Sequence, residues 1–416
     1  MPYLLNQLGF DEKEKAYEEN RAALLQRAKF ADPAPDCPIP GAVEACSIVG
    51  HDAVPVTAGT FCEPSVDALR EAVTARVPPG SLPLTVCHVA GDIRDLQLKM
   101  LGGGVVQAAS QLNYLEFSDP SKTPEDGVAP YEHDRTQGPA CATFAAAGTL
   151  YRNYLVKRSS AKGETGEVRR GQTAADQLNS LRDLTSYLDT RYGEAMPTPW
   201  NVRNGYIFGN ADGLTALNAA LEADADLAGE LIRRLRVGVQ LDTQSTAEGA
   251  GTEYCKDPTT GKWDSRRAAG CPDVLTTTQV YCSAIGLDYD RGTPSDLWTP
   301  FAKLVLEAAY EATFLIGLLE RASAEARGIN LASRRGVDVY ATLLGNGVFG
   351  NPISWVRDAI LVAAERVDRH AGGQSATASR GTPLRVHVVH YQAVDYTMRA
   401  TDSGYPALPK QDEAKL

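Results

Sequence analysis

Between Ser118 and Pro139 the chain carries five carboxylates, Asp119, Glu125, Asp126, Glu132 and Asp134, in a proline-rich segment that reads as loop, with Glu116 just ahead of it. Carboxylates at this density can serve as general acids and bases, as partners for a cation, or as ligands for a hard metal ion. Taken alone, the run reads as a solvated acidic face. Its place in the chain changes that reading. Immediately upstream lies Leu101-Gly102-Gly103-Gly104-Val105-Val106-Gln107, with small and apolar residues continuing to Phe117. Before that comes an apolar run, Leu84–Ala90, with the character of a buried strand. The spacing predicts strand, glycine loop, then a helix over 105–117. Such a turn leaves main-chain N–H groups bare at a helix N-terminus and suits phosphate or pyrophosphate.

The same arrangement is expected a second time. Residues 337–344 read as a buried strand, Gly345-Asn346-Gly347-Val348-Phe349-Gly350 as a glycine loop, and 353–370 as a helix. Two such loops suggest one diphosphate held from opposite sides. Neither is a P-loop, because no Gly-Lys-Ser/Thr follows, and neither opens a Gly-x-Gly-x-x-Gly dinucleotide unit. Further strands are expected at 235–241, 278–284 and 384–391. Helices are expected at 11–30, 65–77, 140–154, 177–192 and 300–326, and 32–60 reads as a loop or covering arm. Alternating strands and helices with glycine loops at strand ends predict an α/β fold whose ligands sit at the carboxyl ends of the strands.

Composition narrows the function classes. The chain has 416 residues, 43% of them hydrophobic, and a formal net charge of −11, enough for a large core but without the basic footprint of a nucleic-acid binder. No run approaches the ~20 apolar residues of a membrane span, and the polar start, residues 1–29, has no secretory pattern. The expectation is therefore a cytoplasmic protein with neither nucleic acid nor membrane as partner. The eight cysteines include no Cys-x-x-Cys pair, and Cys255, Cys271 and Cys282 lack zinc spacing, so neither metal nor cofactor is expected. A magnesium or calcium ion on Asp119, Asp126 and Asp134 is the alternative. His88 reads as a core histidine, while His387 and His390, three apart in a strand, fall on opposite faces.

These loops resemble those of the macrodomains, specifically the branch similar to poly(ADP-ribose) glycohydrolase. There a Gly-Gly-Gly loop leads into a helix bearing Gln-Glu-Glu, and a later glycine loop with an aromatic closes over the phosphates. Gly102, Gly103, Gly104 and Gln111 match the first motif, and Gly345 to Gly350 match the second. The resemblance spans roughly half the chain, around 84–154 and 230–395. It departs where Leu112 and Asn113 stand in place of the two glutamates. That departure is similar to a divergent group that removes ADP-ribose from arginine with carboxylates from elsewhere.

The resemblance implies a macrodomain-like mixed sheet flanked by helices, with helical N-terminal and inserted elaborations. Residues 1–80 would be a helical and loop accessory region. Residues 81–400 would be the catalytic domain, with insertions near 158–230 and 245–275, and 401–416 a tail. The activity implied is ADP-ribosyl glycohydrolysis, with ADP-ribosylated protein as partner and arginine as the leading acceptor. Asp126 and Asp134 are the first catalytic candidates, then Glu132 and Glu116. Asp92, Ile93, Gly102, Gly103, Gly104, Val105, Gln107, Gln111, Gly345, Asn346, Gly347, Val348, Phe349 and Gly350 would bind ADP-ribose. The rivals are a non-catalytic ADP-ribose reader, favoured by the missing glutamates, and a hydrolase of a free ADP-ribose derivative.

Overall fold

The computed structural model describes residues 8–50, 53–77, 84–99, 104–158, 168–246, 275–328, 337–372, 384–391, 393–395 and 398. Its strands are β1 (Ala28–Ala31), β2 (Ala42–Val49), β3 (Pro55–Cys62), β4 (Leu84–Ala90), β5 (Val105–Ala109), β6 (Trp200–Arg203), β7 (Tyr206–Gly209), β8 (Gly238–Gln244), β9 (Thr276–Cys282), β10 (Val339–Thr342) and β11 (Leu384–His390). Its helices are α1 (Tyr17–Arg27), α2 (Val66–Arg76), α3 (Ile93–Lys99), α4 (Gln137–Phe144), α5 (Ala146–Leu150), α6 (Arg182–Tyr192), α7 (Ala211–Ala223), α8 (Leu227–Arg234), α9 (Ser295–Ala326) and α10 (Ile353–Gly372).

Nine strands form one sheet in the order β1-β2-β3-β8-β9-β5-β10-β11-β4, and β6 and β7 form a separate hairpin. The sheet has two halves. From β1 to β9 every neighbour is antiparallel. From β9 through β5, β10 and β11 to β4 every neighbour is parallel. An apolar cluster lies on each face: one built on α2, α7, α8, α9 and α10, the other on α1, α4, α5 and the turn at Tyr151–Leu155. The fold is thus α/β, a large mixed sheet flanked by helices. Parallel strands covered on both faces require near-continuous apolar sequence, and Leu84, Val105, Val339, Val386 and Val388 are fully or almost fully buried accordingly.

Several sequence expectations are met. The strand at 84–90 is β4, and Ser65 caps α2, its Oγ accepting the Ala68 N–H at 3.2 Å. The strand, glycine loop and helix expected at 337–370 are β10, the loop after it and α10.

Two expectations are corrected. Residues 105–117 are not a helix: Val105–Ala109 is the strand β5, followed by an irregular segment. Val105 and Val106 are β-branched, suited to a pleated strand, and the Gly104 carbonyl accepts the Thr278 N–H at 3.0 Å, continuing the ladder with β9. A run this short, buried on both faces, has no periodicity that separates strand from helix. Residues 1–80 are also more than helix and loop, because β1, β2 and β3 extend the main sheet. Their glycines and prolines concealed an alternating burial that only pairing makes visible.

Candidate functional site

A cavity of about 470 Å³ opens at the carboxyl ends of the parallel strands. Gly91 and Asp92 follow β4, Ser110 and Gln111 follow β5, Ala284 follows β9, Leu343 to Phe349 follow β10, and Tyr391 follows β11; all line it. Crevices of this kind are where open α/β sheets take ligands. Here the crevice has a definite cause. β5 and β10 pair only through Val105 with Val339 and Val106 with Tyr340. Beyond that point side chains replace the ladder. Gln107 Oε1 accepts the Thr342 N–H at 3.2 Å, while Gln137 Nε2 donates to the Gln107 carbonyl and Gln137 Oε1 accepts the Ala109 N–H, each at 2.7 Å.

Gln137 opens α4, so the N-terminus of α4 is fastened against the open end of β5. Thr136, Gln137, Gly138, Pro139 and Ala140 all line the cavity. Gly138 is required there by contact: a Cβ would stand 1.9 Å from the Ala109 carbonyl oxygen, far inside any tolerable separation. The first-turn N–H groups of Gln137 and Gly138 have no acceptor within their own helix and carry its positive end.

The loop after β10 forms the facing wall. Gly345 has φ +72° and lies where a Cβ would be 2.5 Å from the Ala284 methyl. Asn351 pins the loop, its N–H donating to the Gly345 carbonyl at 3.0 Å and its Nδ2 to the Ile285 carbonyl at 2.7 Å. Gly345, Asn346, Gly347, Val348 and Phe349 line the cavity, whereas Gly350 does not. Phe349 joins Tyr206 from β7 and Tyr289, with ring centroids 5.9 Å and 5.5 Å away, and Tyr206 and Tyr289 lie 4.8 Å apart. Both phenols are anchored on the segment after β5: Tyr206 donates to the Phe117 carbonyl at 2.7 Å and Tyr289 to that of Ser118 at 3.1 Å.

The expected carboxylates separate into two groups. Asp134 lines the cavity, half-buried, with its Oδ1 accepting the Thr136 N–H at 2.8 Å and the Thr136 hydroxyl at 2.7 Å. Asp92 also lines it and is gripped by Arg94 at 2.7 Å. That hydrogen bond from Arg94 holds the Asp92 carboxyl below its ordinary range, against the opposing effect of partial burial. Asp126 and Glu132 are not in the cavity wall. Asp126 instead closes a turn, its Oδ2 accepting the Thr123 N–H at 2.8 Å. It borders a shallow surface depression with Lys15, Glu18, Glu19 and Glu125.

Glu116 borders the cavity, yet its side chain has no solvent exposure. Arg152, equally buried, donates from Nη2 to both carboxylate oxygens, at 3.0 and 3.1 Å. The guanidinium also donates from Nε to the Tyr114 carbonyl at 2.9 Å and lies 3.6 Å from the Tyr281 ring centroid. Burial pushes the Glu116 carboxyl up to about 7, outweighing the pull of Arg152. Arg152 stays charged, so the carboxylate is the member of the pair that titrates near neutrality.

The first glycine loop is also placed differently from expectation. Gly102 and Gly103, like Cys255, Cys271 and the tail 401–416, lie outside the described residues. Gly104 and Val105 stand at the amino end of β5, across the sheet from the cavity, and Gln107 is wholly buried with its Nε2 on Thr313 Oγ1 at 2.9 Å. Gln111 does line the cavity, but its amide is used to fold the segment behind it, with Oε1 accepting the Phe117 N–H and Nε2 donating to the Phe117 carbonyl, both at 2.9 Å. Ile93 lines the wall beside Asp92. Tyr206, Tyr289, Thr136, Gln137 and Gly138 were not foreseen. The run Thr136-Gln137-Gly138-Pro139 did carry a signal, a capping-type residue and a glycine–proline break ahead of a small-residue helix.

Among the described residues no group of three or more His, Cys, Asp or Glu side chains is gathered to hold a metal ion. Asp119, Asp126 and Asp134 each bind the turn they begin or close. No described helix is long and apolar enough to cross a membrane. Compared with known proteins, the chain matches no family model and no curated relative.

Proposed function

We propose that the cavity binds ADP-ribose and that the protein hydrolyses the glycosidic bond joining it to a protein side chain, arginine foremost. The observation that carries this reading is the convergence, on one cavity, of the Gly345–Phe349 loop, the N-terminus of α4 and the Asp134 carboxylate. Main-chain N–H groups of the glycine loop and of the first turn of α4 suit the diphosphate, and Arg135 at the rim adds a cation. Tyr206, Tyr289 and Phe349 offer flat apolar faces to a base or ribose. The parallel half-sheet with a glycine loop at its carboxyl ends supports a macrodomain-like architecture, now resting on the second loop alone.

Asp134 is the carboxylate in this cavity whose partners leave it a role in chemistry. Its Oδ1 is fixed by Thr136, so Oδ2 would stabilise positive charge developing at the anomeric carbon or draw a proton from the attacking water. An arginine acceptor suits the Asp134 carboxylate, since carboxylate and guanidinium pair in a fork. Asp92 and Ile93 would hold the base or the distal ribose.

A reader without catalysis is the second reading, favoured because Asp126 and Glu132 stand off the cavity and Glu116 is sealed on Arg152. Calorimetric titration with ADP-ribose, paired with release from an arginine-ADP-ribosylated substrate, separates the readings. Binding with release supports hydrolysis, binding without release supports the reader, and no binding removes both.

A further inference from the structure

Cys87, His387 and Asp338 form a second chemical group, on the parallel half of the sheet and outside the cavity wall. Cys87 of β4 stands opposite His387 of β11, and His387 opposite Tyr340 of β10. The three side chains therefore share one face across three parallel strands. Cys87 Sγ lies 3.0 Å from His387 Nδ1, and His387 Nε2 lies 3.1 Å from Asp338 Oδ2. Arg385, two residues from His387 and on the same face, pairs with Asp338 at 2.8 Å. The Tyr340 ring stacks on the imidazole at 4.8 Å and 19°, fixing its plane.

We propose that these residues make a reactive-thiol site, in which Cys87 is the nucleophile toward small peroxides, His387 its base and Asp338 the residue that orients the base. The tautomer follows from the partners. Asp338 Oδ2 faces Nε2 and also receives Arg385, so the proposal puts the imidazole proton on Nε2 and turns the Nδ1 lone pair to sulfur. The thiol also faces the Val386 carbonyl, at 3.5 Å, a longer contact than the one to Nδ1. Nucleophile, base and orienter in hydrogen-bond sequence is the general signature of an activated thiol. Cys87 is 6% exposed, whereas the His387 and Arg385 side chains are 16% and 47% exposed. A reagent of peroxide size can therefore approach along the imidazole, and a bulky substrate cannot.

The reaction balances without any further reagent. Cys87 passes its proton to His387 Nδ1, and the thiolate attacks one peroxide oxygen. The S–O bond forms as the O–O bond breaks. Sulfur is oxidised by two electrons to the sulfenic acid, and the peroxide is reduced. The departing hydroxide takes the proton from the imidazolium and leaves as water.

The site is independent of the cavity reading and can fail or hold without it. The test treats the folded full chain with hydrogen peroxide, traps sulfenic acid with dimedone and reads each cysteine by peptide mass spectrometry. Cys46 and Cys282 serve as internal references, buried thiols that burial pushes up to about 12. Cys87 is expected to be trapped about tenfold faster than either, and His387→Gln to remove that advantage while the references keep their rates. In urea-unfolded wild-type protein the three are expected to react alike, a measurement that needs no variant. Trapping of Cys87 no faster than Cys46 and Cys282 in the folded protein, or at an unchanged rate in folded His387→Gln, overturns the proposal.

Discussion

Arg152 holds Glu116 through both carboxylate oxygens at 3.0 and 3.1 Å, and neither side chain reaches solvent. The pair fastens the turn at Tyr151–Leu155 to the segment that runs behind the cavity. Its titration has a defined sign. The Glu116 carboxyl is raised to about 7 by burial, so the folded state binds this proton more tightly than the unfolded chain. The group's favourable contribution is complete below the ordinary carboxylate range and is lost as pH rises through about 7. The unfolding free energy from urea titration should therefore fall between pH 5.5 and pH 8, by on the order of 1 kcal/mol more than in Glu116→Gln. Equal pH profiles for wild type and variant would contradict the assignment.

Removing the cation from this pair is a harsher change. Arg152→Met leaves Glu116 buried without its partner, which costs about 3–5 kcal/mol. Combining it with Glu116→Leu should recover most of the loss, because two apolar side chains leave no charge buried. Chemical denaturation of the single and double variants at pH 8 measures this.

Gly138→Ala tests how α4 meets β5. The added methyl would sit 1.9 Å from the Ala109 carbonyl oxygen, and that atom belongs to the main chain, not to a pliant side chain. The helix must back away, at about 1–3 kcal/mol, and the Gln137 hydrogen bonds to Ala109 and Gln107 should lengthen with it. The thermal midpoint should drop and, under the proposed function, ADP-ribose affinity should weaken with it. Wild-type stability with wild-type affinity would mean that this contact is looser than described.

Asp134→Asn and Asp126→Asn should behave differently, although both residues belong to the same acidic loop. Asp134 lines the cavity, and Asp126 closes a turn outside it. Under the proposed activity, Asp134→Asn should keep ADP-ribose binding and lose about 10²–10⁴-fold in release rate. Asp126→Asn should leave release unchanged. The reverse ranking would move the chemistry out of the cavity.

Phe349→Ala removes one ring of the trio with Tyr206 and Tyr289. The loss should appear in ligand affinity, about 0.5–1.5 kcal/mol for an aromatic contact, with little change in the unfolding midpoint. Calorimetry against ADP-ribose reads the first and thermal denaturation the second.

Much of the architecture is legible in the order of residues. The apolar run of β4, the Ser65 cap, the long helix α9 and the passage from β10 through a glycine loop to α10 follow from local chemistry, because each depends on residues near one another in the chain. The loop character of 118–139 and the glycine loop at 345–350 are of the same kind. His387 and His390 also fall on opposite faces, as their spacing requires: one ring meets Cys87 and the other meets His88 at 2.9 Å.

What the order of residues left open is which ends come together. A five-residue apolar run after three glycines is compatible with strand or helix, and pairing with β9 and β10 decided for strand. That outcome carried Gly104 and Val105 to the far end of the sheet. Five carboxylates in one loop look equivalent in a list, yet the folded chain turns Asp134 into the cavity and Asp126 away from it. Tyr206, Tyr289 and Phe349 come from three separate segments, and Cys87, His387 and Asp338 from three more. Proximity of that sort is fixed by strand register and sheet order, long-range quantities that no local pattern encodes.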